Sequence, residues 1–189
     1  MNLTTQLSSV ALGFYALTFV EEKLLLRGHR VKTNLDGGSL AFFNVSGVLT
    51  VPLGIVLGFT SYGRVSAGAI YIEAFGLALL VAGTALRRAA IKELWRYFTV
   101  NVSIVEGQRI VRRGLYRFVR HPSYAGLLLR YLGLGLAFAN WLSAALIFLP
   151  LLCATVYRIR VEEDALTRHF GEEYIDYCRA TRRLIPGVY

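Results

Sequence analysis

Long apolar runs separated by short, densely charged stretches organise this chain. Residues 6–26 form an apolar segment of helical length that ends in Glu21, Glu22 and Lys23, with Arg27, His29, Arg30 and Lys32 just beyond. A turn at Asp36-Gly37-Gly38 leads to a second segment over residues 40–60, and a third over 65–86 is interrupted only by Glu73. Each approaches the roughly 20 residues that a membrane-spanning helix needs. A polar stretch follows over 87–120. The next apolar run, 123–157, is too long for one span and breaks near Ala139-Asn140-Trp141. It predicts a helical hairpin turning at Asn140, with Pro150 kinking the second arm.

Composition agrees with that pattern. Of 189 residues, 55% are hydrophobic and 17% charged, where a soluble domain carries about 25% charged residues; the mean hydropathy is +0.49. The expected fold is an all-α integral membrane protein of about five transmembrane helices, the last two a hairpin. One membrane domain spans 1–189, with three N-terminal spans in 1–86 and the chemistry-bearing part in 87–189.

Charge orients it. Lysine and arginine number three in residues 27–32, nine in 87–120 and six in 158–189, against none before the first span and only Arg64 in the 60–66 loop. Rich and poor segments alternate as five crossings require, so the positive-inside rule puts the N-terminus outside and the C-terminus in the cytosol. The membrane is the plasma membrane of a prokaryote or the endoplasmic reticulum of a eukaryote. The net charge of +9 reads as contact with anionic lipid headgroups. It does not read as nucleic-acid binding, because no basic run carries interleaved exposed aromatics. Cys153 and Cys178 form no metal or disulfide pattern, so no metal site is expected. The first segment lacks the basic leader and cleavage site of a signal peptide.

The first half offers little chemistry. Gly54 and Gly58 suit either close helix approach or ordinary glycine use. Asn44 and Asn101 stand in glycosylation triplets, one in a span and one on the cytosolic side, and neither is expected to be used. Glu73 is an intramembrane carboxylate near the non-cytosolic end, which suggests a headgroup-level or helix-packing role.

Three polar clusters converge at the cytosolic boundary. The first is QRIVRRGLYRFVRHPSYAG, residues 108–126, in which Gly114 suits a tight turn and Pro122 the first turn of a helix. That helix start puts free N–H groups beside His121. The second is RIRVEED, residues 158–164, either a solvated helix with local pairing or a carboxylate, Glu162 or Glu163, turned back to bind a cationic amino group. The third is the tail over 170–186, whose apolar and aromatic positions predict an amphipathic helix on the interface.

In this order the clusters resemble the isoprenylcysteine carboxyl methyltransferase family and, more distantly, the phospholipid N-methyltransferases. GLYRFVRHPSYAG, an apolar hairpin, then RVEEDALTRHFGEEYIDYCRATRRLIPG carry the resemblance over roughly residues 88–187. It implies a cytosolic cofactor pocket capped by the C-terminal helix, S-adenosylmethionine as cofactor with S-adenosylhomocysteine as product, and a lipophilic or prenylated acceptor entering from the bilayer. The implied cofactor residues are Gln108, Val111, Gly114, Tyr116, His121, Pro122, Tyr124, Glu162 and Glu163. Many family members have histidine where this chain has Gln108.

Methyl transfer from a sulfonium requires alignment and exclusion of water. A carboxylate acceptor is already ionised at neutral pH and needs no general base. Arg120, Arg130 and Arg160, with Glu163, are the candidate orienting groups. Arg130 lies about two turns inside the hairpin, where it lines an acceptor pocket, pairs with Glu162 or Glu163, or snorkels to the surface. Tyr116, Tyr124 or Trp95 suits a cation–π contact with the sulfonium. Two other readings compete: an NADPH-dependent membrane reductase of the sterol reductase type, which shares an RHPxYxG string, and a non-catalytic lipid-binding or transport protein. A prenylated cysteine, a phospholipid amine and an isoprenoid acid all fit a lateral apolar entrance. The sequence assigns no oligomeric state.

Overall fold

The computed structural model describes residues 3–26, 35–185 and Gly187. The basic loop at 27–32 and the closing Pro186 lie outside the described residues. The described chain is helical: α1 (Leu3–Leu25), α2 (Ser39–Gly58), α3 (Ala69–Leu94), α4 (Pro122–Leu136), α5 (Trp141–Phe170) and α6 (Glu172–Ala180), with short 3₁₀ turns at Trp95–Tyr97 and Gly114–Arg117. Three of these helices, α2, α3 and α5, are long and apolar enough to cross a membrane. With 15 residues, α4 is about 22 Å long, short of the roughly 30 Å hydrocarbon core.

Two boundaries depart from expectation. The third span was expected to end at residue 86, but α3 continues two turns to Leu94 and carries Arg87, Arg88 and Lys92 with it. The hairpin's second arm was expected to end at residue 157, but α5 continues to Phe170 and takes the acidic cluster into its last turns. In both cases good helix formers continue past the apolar run, and their charged side chains find partners across the bundle.

The tightest packing joins α3 to α4. A Cβ on Gly83 would fall 2.6 Å from the Gly126 carbonyl oxygen, and one on Gly126 would fall 2.7 Å from that of Gly83. Gly76 and Gly133 repeat the arrangement two turns away, at 2.8 and 2.6 Å. The seven-residue spacing of each pair puts both glycines on one helix face, so the backbones meet with nothing between them. Gly54 and Gly58 of α2 likewise admit Ile147 and Phe138, at 2.9 and 2.5 Å from an added Cβ. Both glycines therefore serve close approach. The core joins Tyr15, Val51, Leu80, Leu127, Leu134, Ile147 and Leu151 from all five longer helices with Phe138 of the turn between α4 and α5.

Asn140 fixes the non-polar end. Its Oδ1 accepts from the Ser143 amide at 3.1 Å and caps α5, while Nδ2 donates to the carbonyls of Leu57 and Tyr62 at 3.0 and 2.8 Å. Glu73 is fully buried in α3, and neither carboxylate oxygen has a hydrogen-bond partner among the described residues. Its burial in the first turns of α3 fits the helix-packing role. At the opposite end the chain segment after α6 lies along residues 118–121. The Arg120 and His121 amides donate to the carbonyls of Arg182 and Arg183 at 2.7 and 3.0 Å.

Candidate functional site

The ends of all five longer helices that carry charge meet around one cavity of about 230 Å³. The segment over 97–111 and the tyrosines of α6 complete its wall. Periodicity explains what α5 presents to it: Arg158, Glu162, Ala165 and Leu166 follow the i, i+4, i+7, i+8 pattern of one face, and all four line the cavity. Glu163, one position on, points elsewhere.

A relay of hydrogen bonds runs along that wall. Arg158 Nε donates to Tyr124 Oη at 2.9 Å, and Tyr124 Oη donates to Glu162 Oε2 at 2.8 Å. Arg158 is buried and also donates to Asp36 Oδ1 at 2.9 Å, to Ser39 Oγ at 3.2 Å and to the Val100 carbonyl. Asp36 in turn accepts from the Leu40 amide at 2.9 Å at the start of α2. One guanidinium thus joins α2, α4, α5 and the 97–111 segment. Glu162 accepts from Tyr124 and keeps lone pairs for a cationic ligand.

Glu163 anchors the cap instead. It accepts from Arg120 Nε at 2.9 Å and Arg183 Nε at 2.8 Å, and lies 3.2 Å from His121 Nε2. It stands beyond the apolar stretch of α5, which ends at Tyr157. Burial there would raise its pKa, but the hydrogen bonds from His121, Arg120 and Arg183 outweigh that and hold the carboxyl down at about 2. Arg120 Nη1 also donates to the carbonyls of Cys178 and Thr181 at 3.0 and 2.6 Å. Burial pushes the hydroxyls of Tyr116 and Tyr177 upward, so both remain neutral donors. Tyr177 Oη donates to the Tyr116 carbonyl at 2.6 Å and ties α6 to the 3₁₀ turn.

The sequence-derived residues therefore divide. Gln108, Val111, Tyr116, Arg120, His121, Tyr124, Arg130 and Glu162 line the cavity; Gly114, Pro122, Arg160 and Glu163 do not. Gln108 folds onto its own loop, its Oε1 accepting from the Val105 amide at 2.9 Å. Gly114 turns at φ +56° against Glu93, whose carboxylate accepts from the Leu115 amide at 2.8 Å. Pro122 opens α4 below the mouth. Arg160 is exposed because it falls on the outer face of α5. Arg130 pairs with Glu22 at 2.6 Å, not with Glu162 or Glu163, since it lies too far down α4 to reach them. Trp95 is 73% exposed and lines a second cavity. Asp36, Arg158, Glu22 and Arg87 were not foreseen. Asp36, Arg87 and Arg158 could have been found as the first or last charge bordering an apolar run; Glu22, flanked by Glu21 and Lys23, carries no such signal.

Residues 76–168 match the model of the isoprenylcysteine carboxyl methyltransferase family. Over that stretch, just under half of its length, the chain is similar to this family. Protein-S-isoprenylcysteine O-methyltransferase A of Arabidopsis thaliana is 32% identical over 120 residues, covering 62% of this chain and 61% of that protein. The Schizosaccharomyces pombe protein of the same activity name is 33% identical over 117 residues, 59% of this chain and 48% of its own length. A solved structure, the eukaryotic intramembrane Ras methyltransferase ICMT, superposes with a TM-score of 0.55 at 24% identity over 80% of this chain and 50% of that one; it shares the fold. This chain thus spans less than two thirds of the length of these relatives. The family segment runs from mid-α3 to the end of α5 and so takes in Arg87, His121, Tyr124, Arg158 and Glu162.

Proposed function

We propose that this chain is an S-adenosylmethionine-dependent membrane methyltransferase that esterifies the carboxylate of an isoprenylcysteine or a similar lipophilic acid. The observation that carries the reading is the lining of the cavity at the charged helix ends. Among the described residues it presents six basic side chains, Lys23, Arg87, Arg109, Arg120, Arg130 and Arg158, against two acidic ones, Glu22 and Glu162. That excess favours an anionic acceptor over a phospholipid amine. The curated relatives bear names that state this chemistry.

The donor set suits the cofactor. Glu162 would take the ammonium of its amino-acid part, with Tyr116, Val111, Leu166 and Phe170 as apolar wall. When bound, the cofactor supplies an electrophilic methyl carbon on a sulfonium. The chain's own residues hold Glu162 in place through Tyr124 and Arg158, exclude water through the α6 tyrosines, and orient the acceptor's carboxylate with arginine. No proton has to move, because the acceptor is already ionised at neutral pH. The topology that fits is five crossings, N-terminus outside, with the mouth toward the cytosol and the acceptor arriving from the bilayer.

The test uses purified protein in detergent, with radiolabelled S-adenosylmethionine and an N-acetylated S-farnesylcysteine. Base-labile label in the organic phase is the expected result; no transfer in protein that unfolds cooperatively would sink the proposal. Glu162→Gln is expected to weaken calorimetric binding of S-adenosylhomocysteine by about tenfold or more, and unchanged binding would remove Glu162 from the cofactor site.

A further inference from the structure

Arg87 and Arg130 come from different helices, α3 and α4, and close on one carboxylate from a third. Arg87 meets Glu22 Oε1 of α1 through Nε at 2.7 Å and Nη2 at 2.6 Å, and Arg130 Nη1 donates to Oε2 at 2.6 Å. Glu22, Leu26, Arg87 and Arg130 line both the cavity at the charged helix ends and a second one of about 290 Å³, which Thr18, Thr84, Ile91 and Trp95 also border. The clamp thus stands in the wall between the two cavities.

Its charges do not balance. One carboxylate faces two guanidiniums. Arg130 is 2% exposed, and its Nε and Nη2 have no hydrogen-bond partner among the described residues; the Tyr15 ring lies 5.0 Å from its guanidinium carbon. Arg120 and Arg158 differ. Each is held by a carboxylate of the scaffold, Glu163 or Asp36, together with backbone carbonyls. Arg87 also donates to the Ser123 carbonyl and Oγ at 3.3 and 2.9 Å. But among these cavity arginines, within the described residues, the Arg87–Arg130 clamp alone is filled by a carboxylate from α1, the helix whose Glu21 and Glu22 both reach across to α3.

We infer that Glu22 is an internal surrogate for the acceptor's carboxylate, holding the place between Arg87 and Arg130 that the substrate acid takes during turnover. The inference deepens the carboxyl-methylation reading and rests on it. An arriving acid exchanges carboxylate for carboxylate, so the clamp keeps one negative charge while the end of α1 is released and the wall between the cavities opens. One acceptor oxygen then forms its bond to the methyl carbon as the carbon–sulfur pair returns to sulfur. The carboxylate's negative charge and the sulfonium's positive charge vanish together. The ester brings no negative charge to the clamp, so Glu22 returns and displaces it. Substrate is thereby favoured over product by the charge that the reaction removes.

Glu22→Gln tests this in the same transfer assay. The KM for the farnesylated acid is expected to fall about tenfold, a typical coupling between competing ligands, while the KM for S-adenosylmethionine holds. Inhibition by the methyl ester is expected to strengthen. Glu21→Gln, which removes the Arg88 pair outside the clamp, should leave the acceptor's KM unchanged. An unchanged or raised acceptor KM in Glu22→Gln overturns the inference, as does an equal fall in Glu21→Gln. For a Glu22→Gln protein too unstable to assay, hydrogen exchange on the wild type decides. Residues 18–26 should exchange faster with the acid bound than with its ester, and equal rates overturn it. Absence of transfer by the wild type takes the carboxyl-methylation reading down as well, which distinguishes that failure.

Discussion

The two sides of α3 are held by opposite means. Toward α4, glycine meets backbone at Gly76, Gly83, Gly126 and Gly133, and dispersion contacts run the length of the seam. Toward α1, Glu21 and Glu22 supply charged contacts at one end, and Gly13 of α1 has nothing within 4 Å of an added Cβ. A backbone seam has no alternative arrangement at similar energy, because any slip brings atoms into overlap. An ion-held wall has one, since any other carboxylate can replace the first. The seam fixes Arg87 and Arg130 relative to each other, and the wall is free to respond to what they bind.

The strongest way to break that contrast is Gly83→Val. Its added carbons enter the α4 backbone, so a loss of more than about 3 kcal/mol is expected, seen as protein that no longer elutes as one species in detergent. A well-folded Gly83→Val would mean that the seam yields. Next in size is Arg130→Met, which removes one guanidinium and leaves Glu22 with Arg87. About 2 kcal/mol of thermal stability should be lost, while the α3–α4 seam keeps its hydrogen-exchange protection. Loss of protection there would show that the wall supports the seam.

Acid sharpens the contrast, because the cap also depends on a carboxylate. Glu163 has a folded pKa depressed from 4.5 to about 2. Its contribution is therefore complete above the ordinary carboxylate range, and it is lost progressively as pH falls from about 4.5 toward 2. Stability should decline over that window in the wild type and much less in Glu163→Gln; parallel curves would remove Glu163 as the cause. The smallest effect expected is that of Gly13→Ala on α1, within about 0.5 kcal/mol. The same measurement that detects the Gly83→Val loss should show no change here.

Much of this was legible in the chain. The apolar runs locate α1, α2, α3 and the hairpin, and Asn140 marks the turn because its side chain caps α5. The RHPSY string sets the start of α4, since Pro122 suits a first helical turn. What sequence could not resolve was which charged neighbour faces inward. Glu162 and Glu163 are adjacent, yet a 100° rotation sends one to the cavity and the other to the cap. Arg130 was visible as a buried charge, but its partner is 108 residues away on α1, a distance that no local pattern encodes. Asp36 read as part of a glycine turn because its partner, Arg158, is equally remote.

The 30 residues of α5 make a rod of about 45 Å, longer than the hydrocarbon core it crosses. Its apolar part sets how deep it sits, and its last turns carry Arg158 and Glu162 at a fixed height above that level. Because α5 runs as one helix through both, the thickness of the surrounding bilayer sets the height of the cavity wall that these residues form. A thicker membrane draws the Glu162 carboxylate down among the headgroups, and a thinner one lifts it into water.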